Sequence, residues 1–342
     1  MIIQTVAGKK PASEMGVTST HEHFLWDQRC YLPQTPEELS ERAFMNRKIC
    51  MRDLGRIRYN MHKHIDNIVQ MDVDEAIEET LEFKYAGGQT ICDCSVYGLG
   101  RDPKALVKIS QATGINILMG TGLYIERSHP ESMRQLTRDR LADLFTAEIV
   151  HGVKDTGIQA GFIGEIGVST FSDREREVLA AAAITQKNTG AALVIHQPGL
   201  NKQAGDILDW IARHGGDLGK VVLGHSDIFE NDLPYLESSL KRGAVISFDQ
   251  FGIEIALDYS IWLPRDIDRI RAIARLIERG YGKQIVLGQD VCFKASYKKY
   301  GGYGYAHLLD QISILMRRQG FTGETIRQLL VDNPMRVFAM DE

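Results

Sequence analysis

Eight short runs rich in apolar and β-branched residues recur along the chain, each followed by a segment with helical spacing, and this alternation restricts the fold more than any other feature. The runs are MGVTSTHEH (15–23), GQTICDCS (88–95), INILMGTG (115–122), AGFIGEIG (160–167), AALVIHQ (191–197), KVVLGHS (220–226), AVISFD (244–249) and QIVLGQD (284–290). Most are nearly continuous rather than alternating, as strands of a parallel sheet covered on both faces should be. The segments between them carry helix punctuation. Asp102 and Pro103 open DPKALVKISQATG as N-cap and first-turn residue, SDREREVLAAAAITQKNTG starts acidic and stops at Gly190, and VDEAIEETLEFKYAG stops at Gly87. Eight such units predict a single (β/α)8 TIM barrel over residues 1–342, with a short N-terminal β segment and a C-terminal helical extension. A doubly wound open sheet is the competing architecture, but no G-x-G-x-x-G follows a strand and opens a helix, which weakens a dinucleotide site.

Composition narrows the partners. At 342 residues and 44% hydrophobic content the chain can bury a large core, and a net charge of −5 supplies no broad cationic field for nucleic acid or an anionic membrane. The start, MIIQTVAGKK, lacks a signal-peptide apolar region, and no run approaches the roughly 18 apolar residues of a spanning helix. A cytoplasmic protein acting on a small molecule is therefore expected, and a homodimer is compatible with the sequence. Five cysteines, an odd number, do not make a disulfide framework, and Cys92 and Cys94 read as packing residues.

Ligand-type residues fall at the carboxyl ends of the runs: His21 and His23 at the first, Glu165 at the fourth, His196 at the fifth, His225 at the sixth and Asp290 at the eighth. A barrel gathers those ends around one axis. Alone, His196 or His225 would more often be a core histidine, and Glu165 a costly buried charge. Together they predict a centre for two divalent metal ions, Zn2+ first, with Mn2+, Co2+ or Ni2+ also suited. A carboxylate at Glu165 could bridge ions about 3.5–4 Å apart. The other H-x-H pair, His62 and His64 in MHKHI, looks helical, so its members should diverge by about 200° and be solvated or structural.

Three connections, residues 24–66, 250–264 and 291–304, are too long to be mere turns and are expected to carry function. The last contains Lys294, Lys298 and Lys299 with Tyr297, Tyr300 and Tyr303, and the middle one Tyr259, Trp262 and Arg265. Arg265 and Lys294 are candidates for holding an anionic substrate tail, against the ordinary reading of solvated rim charges. Tyr97 and Tyr124, just beyond strands two and three, are candidate pocket walls, whereas Arg101 and Asp102 read as fixing a loop and capping a helix.

In order and spacing, STHEH, VYGLGRD (96–102), GTGLY (120–124), GEIG (164–167), IHQP (195–198), LGHSD (223–227), LGQD (287–290) and DNPMRVF (332–338) resemble the phosphotriesterase family of the amidohydrolase superfamily. The resemblance implies that His21, His23 and Asp290 hold a more buried metal, His196 and His225 a more exposed one, and Glu165 lies between them. Many relatives have a carboxylated lysine at that position, and this chain departs from them. The segment 290–309 also differs from the phosphotriesterases and quorum-signal lactonases and resembles a phosphotriesterase-related branch.

The expected reaction is hydrolysis by a metal-activated hydroxide, with Asp290 as the catalytic proton carrier. A carboxylic ester or lactone is the first expectation for the substrate, an N-acyl amide the second, and a phosphotriester a promiscuous third. A noncatalytic metal-binding barrel, or a lyase or isomerase using one metal, is the rival from another class.

Overall fold

The computed structural model describes residues 1–199, 201–257 and 261–341. Eight parallel strands form one sheet in sequence order: β1 (Thr18–Glu22), β2 (Thr90–Asp93), β3 (Asn116–Thr121), β4 (Phe162–Gly167), β5 (Leu193–His196), β6 (Val221–Leu223), β7 (Val245–Phe248) and β8 (Ile285–Leu287). Each lies within one of the eight runs. The first and last strands meet through Thr20 Oγ1, which donates to the Leu287 carbonyl at 2.9 Å, and through the Asp290 amide, which donates to the His21 carbonyl at 3.0 Å. The sheet is thus a nearly closed barrel.

Alternation along the strands explains why the runs are almost wholly apolar. Cys92, Leu118, Phe162, Val194, Val222, Val245 and Val286 belong to one buried cluster, which Ile3 from the N-terminal hairpin (Ile2–Thr5 with Gly8–Pro11) and Val337 and Phe338 from the C-terminal helix also join. Their strand neighbours Ile91, Ile117, Ile163, Leu193 and Val221 face the helical layer with Leu106, Phe145 and Val178. Cys92 and Cys94 are in the first cluster, and all five cysteines are unpaired.

The helices follow their sequence signals. In α1 (Val73–Tyr85) the Asp72 carboxylate caps the amides of Asp74 and Glu75; in α2 (Pro103–Thr113) Asp102 accepts from the Ala105 amide at 3.1 Å. The next pair is α3 (Arg138–Val150) and α4 (Asp173–Thr189), the latter opened by a reciprocal Ser172/Glu175 capping box and closed by left-handed Gly190. Ala204–Arg213 (α5), Leu233–Leu240 (α6) and Asp266–Glu278 (α7) complete the layer before β8. Among the described residues no helix is long and apolar enough to cross a membrane.

The three long connections share a buried apolar cluster. Phe44, Ile57 and Met61 from the first, Ile253 and Leu263 from the second, and Cys292 and Phe293 from the third pack together above the strand ends. This common core fixes three irregular segments relative to one another at the barrel mouth.

Candidate metal centre

The Glu165 carboxylate, at the end of β4, is the hub on which the strand ends converge. Its Oε2 lies 3.4 Å from His21 Nε2, 3.3 Å from His196 Nδ1 and 3.6 Å from His225 Nε2, while Oε1 lies 3.5 Å from His23 Nε2. Asp290 Oδ1 stands 3.3 Å from His23 Nε2 and 3.8 Å from His21 Nε2. All six residues singled out in the sequence are therefore brought together.

Local backbone geometry aims them. The β1/β2 register shifts between Ser19 and Glu22, and the β4/β5 register between Ile163 and Ile166, so the two strands carrying His21 and Glu165 are irregular where their ligand-type residues begin. His225 and Asp290 have left-handed φ values of 54° and 50°, a conformation that side chains disfavour and surrounding contacts must hold. The His225 amide donates to Asp249 Oδ1 at 3.0 Å, and the Asp290 amide is the one bonded to His21. Gly164, before the hub, has φ of 125°, and a β-carbon there would fall 2.4 Å from the Val194 carbonyl oxygen, so the first glycine of GEIG permits β4 to approach β5.

Asp249 was not among the expected site residues. It directly follows β7, is fully buried, and accepts from His225 Nδ1 at 2.9 Å, while its Oδ2 lies 3.2 Å from His21 Nδ1. One carboxylate thus faces two rings on the side away from Glu165 and leaves their Nε2 atoms turned toward it. Burial alone would raise the Asp249 carboxyl, but the facing His225 and His21 rings hold it well below the ordinary range. Burial likewise opposes ionisation of Glu165, and His21, His196 and His225 overcome it. Between the two first-strand histidines, burial pushes the Glu22 carboxyl up to about 7.

The donor set fits divalent cations. His21, His23 and Glu165 form one group whose ligand atoms lie within 4.8 Å of one another, Glu165, His196 and His225 form a second, and His21, His225 and Asp249 a third. Glu165 Oε2 and His21 Nε2 are buried without a hydrogen-bond partner among the described residues, a costly state that coordination would relieve.

A cavity of about 370 Å³ opens beside this cluster, lined by His196, His225 and Asp290 together with Tyr31, His62, Tyr124, Arg127, Ile228, Leu263 and Phe293, among others. Tyr124 is a wall residue, with its hydroxyl 3.2 Å from His196 Nδ1. The other three substrate candidates are placed elsewhere. Tyr97 donates from its hydroxyl to Glu148 at 2.5 Å. Arg265 is exposed at the start of α7 and paired with Asp268 at 2.7 Å. Lys294 is buried against Asp66 at 3.1 Å and Glu75 at 3.8 Å. Carboxylates distant in sequence already satisfy Tyr97 and Lys294, and Arg265 is satisfied three residues along its own helix. Tyr259 lies outside the described residues.

Of the two alternatives for His62, solvated or structural, the structure takes the second: its segment, Met61–Lys63, is a 3-10 turn, and its ring is buried, stacks on Tyr31 with centroids 4.8 Å apart and lines the cavity.

A (β/α)8 barrel with four imidazoles and three carboxylates gathered at its strand ends defines a metal-dependent hydrolase. The chain belongs to the phosphotriesterase family, whose pattern matches residues 1–338. It is 32% identical to the N-acetyltaurine hydrolase of Dictyostelium discoideum, over 99% of this chain and 98% of that relative. With the N-acetyltaurine hydrolase of Homo sapiens it shares 34% identity over 97% of this chain and 96% of the other. Among solved structures, a resiniferatoxin-binding protein from Rhodobacter sphaeroides matches with a TM-score of 0.96 and 36% identity, covering 98% of this chain and 94% of that one.

Proposed function

We propose that this hydrolase cleaves the amide bond of a small N-acyl amine of the N-acetyltaurine kind, using two divalent cations, Zn2+ first, held by His21, His23, Glu165, His196, His225 and Asp290. The observation that carries the hydrolytic reading is the Glu165 carboxylate set within 3.3–3.6 Å of four imidazole nitrogens. The names of relatives alike over nearly their whole length favour the amide over the ester or lactone that sequence alone placed first. Five unpaired cysteines support a reducing, cytoplasmic setting.

When bound, the cations polarise the acyl oxygen and lower the pKa of the attacking water. Asp290, whose side chain reaches both the cavity and His23, accepts the water proton and returns it to the leaving nitrogen as the C–N bond breaks, giving a carboxylate and an amine. Tyr124 faces the same space from the His196 side and orients the acyl oxygen through its hydroxyl. Glu165 and Asp249 hold the histidine rings in place.

With metal-loaded protein, amine release from N-acetyltaurine should exceed, in kcat/KM, the hydrolysis of an aryl acetate and a sugar lactone measured beside it. Faster lactone or ester turnover would reverse the choice of bond. Asp290→Asn should lower kcat roughly 10²- to 10⁴-fold while leaving the circular dichroism spectrum unchanged. A variant with wild-type metal content and wild-type rates would remove Asp290 from the proton path.

A further inference from the structure

Among the described residues lining the cavity, Arg127 is the only arginine or lysine. It sits on the single turn Glu126–Ser128 beyond β3, exposed, with its guanidinium carbon 4.2 Å from the centre of the Tyr31 ring. The Tyr31 hydroxyl bonds that of Tyr124 at 2.7 Å, and the latter reaches His196 at 3.2 Å. One half-buried tyrosine ring and two hydroxyls therefore connect this cation to the candidate metal centre along the cavity wall.

Its electrostatic position differs from that of the cations expected from sequence. Lys294, Lys298, Lys299 and Arg265 are each within 3.2 Å of a carboxylate. Arg127 has no carboxylate partner among the described residues. A guanidinium seated on an aromatic face loses little freedom on binding, and its planar fork suits two oxygens of an acid group.

We propose that Arg127 binds the acid group at the amine end of the substrate, a sulfonate or a carboxylate, and so selects N-acyl amino acids and aminosulfonates over neutral amides. This rests on the amide reading above for its catalytic consequence, but not for the existence of the anion site.

The test compares wild type with Arg127→Met, which keeps the chain length without the charge, and with Arg127→Lys. N-acetyltaurine, N-acetyl-β-alanine and neutral N-propylacetamide serve as substrates, and ethanesulfonate as a non-hydrolysable probe titrated by calorimetry. In Arg127→Met the kcat/KM preference for the acidic amides over the neutral one should fall roughly 10- to 100-fold, mainly through KM, with part of it restored in Arg127→Lys. The two acidic substrates identify which acid group the site prefers. Ethanesulfonate should bind Arg127→Met at least roughly 10-fold more weakly than wild type. Equal ethanesulfonate binding by both proteins, or an unchanged preference ratio, overturns the assignment. If no amide is turned over yet the variant still loses the probe, the amide reading fails and the anion site stands.

Discussion

Glu165→Gln is expected to lower kcat/KM at least roughly 10³-fold and to weaken metal affinity at least roughly 10-fold, with little change in the folded architecture. Glutamine has nearly the same volume, so the packing of β4 against β5 survives. The change removes a negative charge from a point that four ring nitrogens share at 3.3–3.6 Å. It also replaces one acceptor oxygen with an N–H donor, which cannot coordinate a cation. Neither Asp249, engaged with the far side of two rings, nor Asp290, 3.3 Å from His23, is placed to substitute. Metal analysis and single-substrate kinetics on the purified variant measure both effects. A companion experiment uses the chelated wild type: adding metal alone should restore activity, because the hub carboxylate is encoded directly. If bicarbonate were also required, a carboxylated side chain elsewhere would be the bridging group.

The barrel and the six converging residues were legible in the sequence because each has a local signature. Strands buried on both faces become continuous apolar runs, and the ligand-type residues terminate those runs. Asp249 ends its run just as plainly, but an aspartate after a strand is also an ordinary turn residue. What sets it apart is contact with His21 and His225, which only the closed barrel supplies. Arg127 and Lys294 show the same limit from opposite sides. Nothing in GLYIERSHP reveals that Tyr31 will support the arginine at the cavity, and nothing in DVCFKASYKK reveals that Asp66 and Glu75 will neutralise the lysine. The missing information concerned which distant segments face each other: barrel closure decides it for Asp249, the packing of Tyr31 against Tyr124 and Ile125 for Arg127, and the joining of the first and third connections for Lys294.

Arg101→Ala should destabilise the fold by about 3–5 kcal/mol at neutral pH, a larger effect than any surface substitution would produce. Both side chains of the Arg101–Glu148 pair are only 2% exposed. Arg101 Nη1 donates to Glu148 Oε2 at 2.8 Å and to the Gly120 carbonyl at 3.0 Å, and Nη2 donates to Glu148 Oε1 at 3.0 Å. Tyr97 and Thr121 add hydroxyl bonds to the same carboxylate, both 2.5 Å long, so this one group on α3 ties the segment following β2 to the end of β3. Burial alone would raise the Glu148 carboxyl, but Arg101 holds it below its ordinary value. The wild-type pair therefore contributes its stability above the unfolded carboxylate pKa of about 4.3 and loses it as pH falls through the depressed folded value. Removing the guanidinium reverses the sign: burial then dominates, the folded pKa lies above the unfolded one, and the variant loses stability as pH rises. The difference between wild type and variant in urea melts should accordingly be largest near pH 7.5 and shrink toward pH 4.5. A difference that stays constant over that range would mean that lost packing, and not the stranded Glu148 charge, sets the cost.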